Sequence, residues 1–298
     1  MSRLASALDR RKHIVNQFEE IVGSRPNLLR PRTFNEKIQW LKLYHHDPLM
    51  TRVTDKYAMR GYVEETVGAG HTVPLLGAWD DPAAIDFEAL PDQFVLKVTG
   101  GYGMNIFCND RSEFDRDAAR ATLSAWLQPA RNHYFYSYEW AYKDISSRVV
   151  AEPLIDLPGL VTDFKLFCFS GVPHSFMVTT ELTKDDILID LFTLDWEWQE
   201  YPNPLRAHHP VPPEEPRQLE RMIEYGSLLS RPFPAARIDF IEASDELFVG
   251  EITLYSGNGM TPSVDPVRQH EMGSRIQLPL RSWPRALAIE TAARVLAR

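Results

Sequence analysis

"ARIDFIEASDELFVGEITLYSGNGMT", Ala236 to Thr261, holds two apolar runs joined by a polar turn at "EASDE" and closes on a glycine-rich end. The pattern predicts a pair of strands folded back on each other. Alternate residues of a strand share a face, so Arg237 and Asp239 point one way on the first strand, and Glu251 and Thr253 point one way on the second. One face then collects two carboxylates, a cation and a hydroxyl. Magnesium takes oxygen ligands, usually one or two carboxylates plus substrate phosphates, and Asp239 with Glu251 supplies such a pair. A salt-bridged, solvent-facing hairpin is the competing reading, and this stretch alone does not decide between them.

Upstream, "LKVTGGYGMNIFCND", Leu96 to Asp110, sets a lysine near the end of an apolar strand beside Gly100, Gly101 and Gly103. Backbone amides bared by glycine converge on a phosphate, and Lys97 adds a positive charge. The spacing is neither GxxxxGK[ST] nor GxGxxG, so a glycine-rich hairpin turn with a snorkelling lysine stands as the alternative. A third piece joins "AEPLI", Ala151 to Ile155, to "TDFKLF", Thr162 to Phe167. Glu152 ends an apolar strand, and Asp163 and Lys165 share a face. An acid there accepts from ribose hydroxyls and a lysine pairs with phosphate, or the two form a surface ion pair.

Around these pieces the chain organises as helices, then a small α/β unit, then a larger antiparallel unit. "SALDRRKHIVNQFEEIV" and "NEKIQWLKLYHH" repeat apolar residues at helical spacing, with Thr33 and Asn35 at the cap. From "TVPLLGAW" to "FVLKVT" short apolar runs favour strands. "SEFDRDAARATLSAWLQ" returns to helix with Ser112 as its expected cap, and "RVVAEPLI", "TDFKLFCFSG", "SFMVTTEL" and "LIDLFTLDW" read as successive strands. The expected division is a helical segment over 1–67, a small subdomain with the glycine loop over 68–155, and a large subdomain with the magnesium site over 156–298.

Composition narrows the function. The chain has 298 residues, 44% hydrophobic, and 41 acidic against 32 basic residues give a net charge of -9. That balance is the reverse of a nonspecific nucleic-acid binder. No apolar run approaches the roughly 20 residues of a membrane span, and no secretory signal follows the basic start, so the cytoplasm is the expected location. Cys108 and Cys168 lie far apart inside apolar segments and read as buried free thiols.

Taken in order, "TFNEKIQWLKLY", "DKYAMRGYV", "LPDQFVLKVTGGYGMNI", "DFKLFCFSG" and "GEITLYSGNGM" resemble the TupA-like branch of the ATP-grasp superfamily, over residues 33 to about 262. The resemblance implies an α+β fold in which two subdomains clamp ATP, with Mg2+ as the metal. It implies that Lys56 and Lys97 hold the phosphates and that the loop Gly100, Gly101, Tyr102, Gly103 closes over them. Glu152 is implied near the adenine, Asp163 at the ribose and Lys165 toward the phosphates. Asp239 and Glu251 are implied as metal ligands, and Arg237 as the group that steadies the transition state. The end "GEITLYSGNGMTPSV" is similar to the acid-binding end of D-alanine:D-alanine ligases, where asparagine follows the glutamate at two residues; here that place is Thr253, a neutral oxygen ligand.

The implied reaction is ATP-dependent joining of a small-molecule carboxylate to an amine through an acyl phosphate, in cell-surface polymer or specialised-metabolite biosynthesis. Alternatives are phosphotransfer to a hydroxyl, a polysaccharide glycosyltransferase, and a nonenzymatic ATP-binding protein. The acidic stretch "TTELTKDDILIDLFTLDW", with Glu181, Asp185, Asp186 and Asp190, predicts a preference for a cationic acceptor if it lines the cleft. The aromatic stretch "NHYFYSYEWAY" is read either as a homodimer face or as core or cleft wall.

Overall fold

The computed structural model describes residues 3–155, 163–181, 187–199, 207–243, 245–262 and 265–296. Four helices come first: α1 (Arg3–Val22), α2 (Phe34–Tyr44), α3 (Pro48–Thr54) and α4 (Ala58–Val67). Thr33 caps α2 as expected. Its hydroxyl accepts from the Glu36 amide at 3.2 Å while Glu36 accepts from the Thr33 amide at 3.1 Å, which satisfies two otherwise orphaned donors.

The small unit is a four-stranded sheet of β1 (Gly77–Trp79), β2 (Phe94–Val98), β3 (Asn105–Cys108) and β4 (Val149–Pro153), in the antiparallel order β1-β4-β2-β3. Residues 72–76, expected as strand, do not extend β1. Between β3 and β4 run α5 (Arg116–Trp126) and the short α6 (Tyr134–Ser137). The α5 cap is Asp115, which accepts from the Ala118 amide at 2.9 Å, and not Ser112. The Ser112 hydroxyl is committed elsewhere: it donates to Asp110 at 2.7 Å, within a turn that Asp110 also closes through the Ser112 amide.

The large unit is a six-stranded antiparallel sheet of β5 (Asp163–Phe169), β6 (Val172–Glu181), β7 (Ile187–Phe192), β8 (Trp198–Gln199), β9 (Ala236–Ala243) and β10 (Glu246–Thr253), in the order β10-β9-β5-β6-β7-β8. Helix α7 (Leu219–Ser230) precedes β9, and α8 (Pro266–Arg275) and α9 (Trp283–Leu296) close the chain. The order of units matches the pattern read from the sequence; the expected boundary at 156 falls outside the described residues.

Each sheet has one apolar and one chemical face. In the small sheet Phe94, Leu96, Val98, Val149, Ala151 and Cys108 form a core with Leu123 of α5. The intervening residues, Val95, Lys97, Val150 and Glu152, share the other face. In the large sheet Phe164, Leu166, Val178, Ile238 and Phe240 are buried among the main core, together with Met222 and Leu229 of α7. Asp163, Lys165, Arg237, Asp239, Glu251 and Thr253 occupy the opposite face. Phe34 at the start of α2 packs edge-on against Phe167 on that same face, at 6.4 Å between ring centres. The N-terminal helices therefore cover one end of the chemical face.

Both cysteines are buried and unpaired. The aromatic stretch builds a small cluster of Tyr134, Tyr142 and Ile145 and leaves Phe135 and Tyr136 exposed. Among the described residues no helix is long and apolar enough to cross a membrane.

Candidate active site

Strand register assembles the site. Asp239 lies opposite both Lys165 on β5 and Glu251 on β10, and Arg237 lies opposite Thr253. A one-residue bulge at Gly250 makes this possible. Val249 pairs with Phe240 and faces the core, and the register shift there turns Glu251 to the other face, opposite Asp239. Two carboxylates thus stand side by side across adjacent strands.

Cations hold them. Arg237 grips Asp239 with two bonds of 2.7 Å, and donates to the Thr253 hydroxyl at 3.2 Å and the Ser256 hydroxyl at 3.3 Å. Lys165 pairs with Asp163 and approaches Asp239 at 3.9 Å. Lys56, at the entry to α4, donates to Glu251 at 3.4 Å. Burial by itself would push the Glu251 carboxyl up, but Lys56, Arg237 and Lys165 outweigh it and hold it below the usual glutamate range. Burial likewise works against the Arg237 charge, and Asp239 and Glu251 override it and raise its pKa.

The small sheet faces this array. Lys97 pairs with Glu152 at 2.6 Å, and Glu152 accepts a second cation, Arg60, at 3.2 Å. The glycine loop joins β2 to β3 as a hairpin closed by the Val98 amide on the Met104 carbonyl at 3.0 Å. Gly100 packs closely on the segment leading into β4: a Cβ there would stand 2.2 Å from the Ser147 hydroxyl, which would have to turn aside. Tyr102 stands 79% exposed at the loop tip. The Gly101 carbonyl accepts from Lys56 at 3.1 Å. Lys56 therefore ties the loop of the small sheet to a carboxylate of the large one.

The expected residues lie on the chemical faces of the two sheets and in the glycine loop of the small one, except Lys56, which stands at the entry to α4 and bonds both the loop and Glu251. Their partners refine the expectation. Glu152 is engaged by Lys97 and Arg60, and the Thr253 hydroxyl is engaged by Arg237. Asp239 and Glu251 are an oxygen-only pair on one face, which fits a magnesium ion completed by substrate phosphates. Among the described residues no cluster of three or more metal-ligating side chains exists, so a cage made only of protein does not fit.

The sequence reading missed Arg60, Ser256 and the buried polar face of α2. Arg60 had a signal, since it follows Lys56 closely in "DKYAMR" as a second cation. The expectation that the acidic stretch lines the cleft for a cationic acceptor is corrected at Asp190. That side chain lies on the core face, opposite Val178, where it bonds His209 at 2.5 Å and Trp198 at 3.2 Å. Asp185 and Asp186, and the side chain of Glu181, lie outside the described residues.

Two antiparallel sheets thus carry charged faces, and Lys56 links the glycine loop of one to the Glu251 carboxylate of the other. The chain belongs to the TupA-like ATP-grasp family, whose model matches residues 36–277. No curated protein matches the chain. Among solved structures it is similar to a D-alanine–D-alanine ligase from Bacillus anthracis complexed with ATP, at 14% identity and a TM-score of 0.40, covering 68% of this chain and 55% of that one. It is similar to the D-cycloserine synthetase DcsG at 15% identity and a TM-score of 0.43, covering 77% and 72%. It is also similar to an L-amino acid ligase from Bacillus licheniformis at 16% identity and a TM-score of 0.48, covering 76% and 49%. The chain thus spans about half the length of two of these three.

Proposed function

We propose that this chain is an ADP-forming ligase that joins a small-molecule carboxylate to an amine, with ATP and Mg2+, in the assembly of a cell-surface polymer or a specialised metabolite. The observation that carries this reading is the pairing of Arg237, Asp239 and Glu251 on one sheet, tied through Lys56 to the glycine loop of the other.

Phosphoryl transfer needs positioning and charge neutralisation more than covalent chemistry from the protein. Lys56, Lys97 and Lys165 are the cations placed to receive phosphate oxygens. Asp239 and Glu251 would hold the magnesium, which would neutralise charge on the transferring phosphate. The acid substrate's oxygen attacks the γ-phosphorus and the bond to ADP breaks, giving an acyl phosphate; the amine then attacks the carbonyl carbon, phosphate departs, and the amine gives up a proton. Arg237 is placed to stabilise the oxyanion of that second step, and loss of one such donor typically costs about 10²–10³-fold in turnover. The glycine loop supplies a lid, because an acyl phosphate hydrolyses in water.

The test is ATP consumption with magnesium and hydroxylamine over a panel of carboxylic and amino acids, following ADP, AMP, phosphate and hydroxamate. ADP, phosphate and hydroxamate that appear together with a particular acid support the ligase. AMP overturns the mechanism. ADP formed with a hydroxyl acceptor and no hydroxamate moves the assignment to a kinase.

A further inference from the structure

The turn after β10 leads away from Arg237, which bonds its first residue, Ser256. Gly257, Asn258 and Gly259 all take left-handed φ, +59°, +56° and +59°. Such a turn needs external support, and α2 provides it. Asn35, Gln39 and Lys42 stand at positions i, i+4 and i+7, on one helix face. Asn35 donates to the Thr261 carbonyl at 2.9 Å. Gln39 donates to the carbonyls of Asn258 and Gly259 at 2.8 and 2.7 Å. Lys42 donates to the Asn258 side-chain oxygen at 2.5 Å and to its carbonyl at 3.4 Å. The contact is close enough that a Cβ on Gly259 would come within 2.5 Å of Ile38.

Lys42 is the unusual member. It is 2% exposed, and buried cations ordinarily have an anionic partner. Lys56, Lys165 and Arg237 each have a carboxylate in contact. Among the described residues Lys42 has none. Glu139 favours its charge from a distance but pairs instead with His133 at 3.3 Å. The turn therefore rests on a desolvated positive charge, and its first residue, Ser256, is bonded to Arg237 at the site.

We propose that Lys42 is a positioning residue for the carboxylate substrate, acting through Asn258: its ammonium shapes the 256–260 turn and places a fixed positive charge beneath it. This rests on the ligase reading above. The charge is also titratable. Burial, only partly opposed by Glu139, lowers the Lys42 pKa to about 8. The other groups around it are Glu139 with its partner His133, Tyr255 before the turn, whose ionisation burial and Glu139 suppress, and His46, which bonds the Lys42 backbone and is kept neutral by burial. The ammonium is lost as pH rises through about 8, and with it the attraction for the acid.

Two measurements test this on the full chain. Without any acid present, amide hydrogen exchange over residues 254–262 is compared among the wild type, Lys42→Met, Lys42→Arg and Asn258→Gly. The last variant suits the left-handed backbone and removes only the bonded side chain. Exchange at least tenfold faster in Lys42→Met and Asn258→Gly, with protection kept in Lys42→Arg, supports the inference; unchanged exchange overturns it whatever the substrate proves to be. With MgATP, hydroxylamine and the acid panel, Lys42→Met raises the half-saturating acid concentration tenfold or more while that of ATP stays within twofold. The wild type loses acid affinity above about pH 8, and Lys42→Arg retains it. Equal loss of ATP and acid affinity marks a merely structural lysine and overturns the inference. Normal acid affinity in Lys42→Met overturns it while leaving the ligase intact, whereas phosphorylation of hydroxyls without hydroxamate ends the ligase reading itself.

Discussion

Lys42→Met has a consequence for stability that is separate from substrate binding. A lysine whose pKa falls from 10.5 to about 8 on folding is penalised as an ammonium in the native state. Between those two values the unfolded chain holds a proton that the native chain has released, so this group makes stability rise with pH, by about 1.4 kcal/mol per unit at its steepest. Below about pH 8 the penalty is present in full; it is relieved progressively toward 10.5. From pH 7 to pH 9.5 the relief amounts to about 2 kcal/mol. The methionine variant keeps most of the side-chain volume, carries no charge and shows none of this slope. Subtracting its stability curve from the wild-type curve cancels the other titrating groups, including Tyr44 and Tyr255, whose raised pKa values act in the opposite direction near pH 10. Urea unfolding of both proteins across that range, at constant ionic strength, gives the difference directly. The variant's advantage, or its deficit, shifts by about 2 kcal/mol in favour of the wild type as pH rises. A flat difference would refute the claim that Lys42 sits charged and desolvated, and a shift of the opposite sign would mean that an anion pairs with it in the native state.

Three further outcomes follow from the site. Lys97→Ala, Asp239→Asn and Glu251→Gln each abolish ATP turnover while circular dichroism still reports the folded chain; full activity in any two removes the metal and phosphate assignments. Gly259→Ala loses about 2–4 kcal/mol in urea unfolding, from a left-handed residue with a Cβ and from pushing α2 off the turn; a loss below about 1 kcal/mol would mean that the turn and helix are free to separate. Lys56→Met releases the Gly101 carbonyl and Glu251 together, so limited proteolysis within residues 99–104 is faster in the nucleotide-free protein. An unchanged cleavage rate would mean that the loop is held by something other than this lysine.

Much of the site was legible because strand alternation is a strong rule. Arg237 with Asp239, and Glu251 with Thr253, share faces as the period of two demands. What alternation did not reveal is why Glu251 stands opposite Asp239. That depends on the bulge at Gly250, and a glycine inside a strand was the available sign of it. Ser112 failed as a cap because a nearer bond to Asp110 competes for it, which a single-residue preference does not register. Asp190 looked exposed by type and is buried, its charge met by His209 and Trp198 from elsewhere in the chain. The polar stripe of α2 was hidden for a related reason: Asn35, Gln39 and Lys42 look like the solvent face of an amphipathic helix, and only the partner, some 220 residues later, makes them interior.

That separation also bears on how the molecule comes into being. The bond between Gln39 and Gly259 spans 220 residues of sequence, and contacts of such long range form late because the intervening loop has to be closed first. During synthesis the helices at the N-terminus emerge long before the turn that they hold. Until the last strand pair has followed, the polar stripe of α2 lacks the turn that it bonds. The turn beside Arg237 accordingly takes its supported form only when α2 and the β9–β10 pair meet.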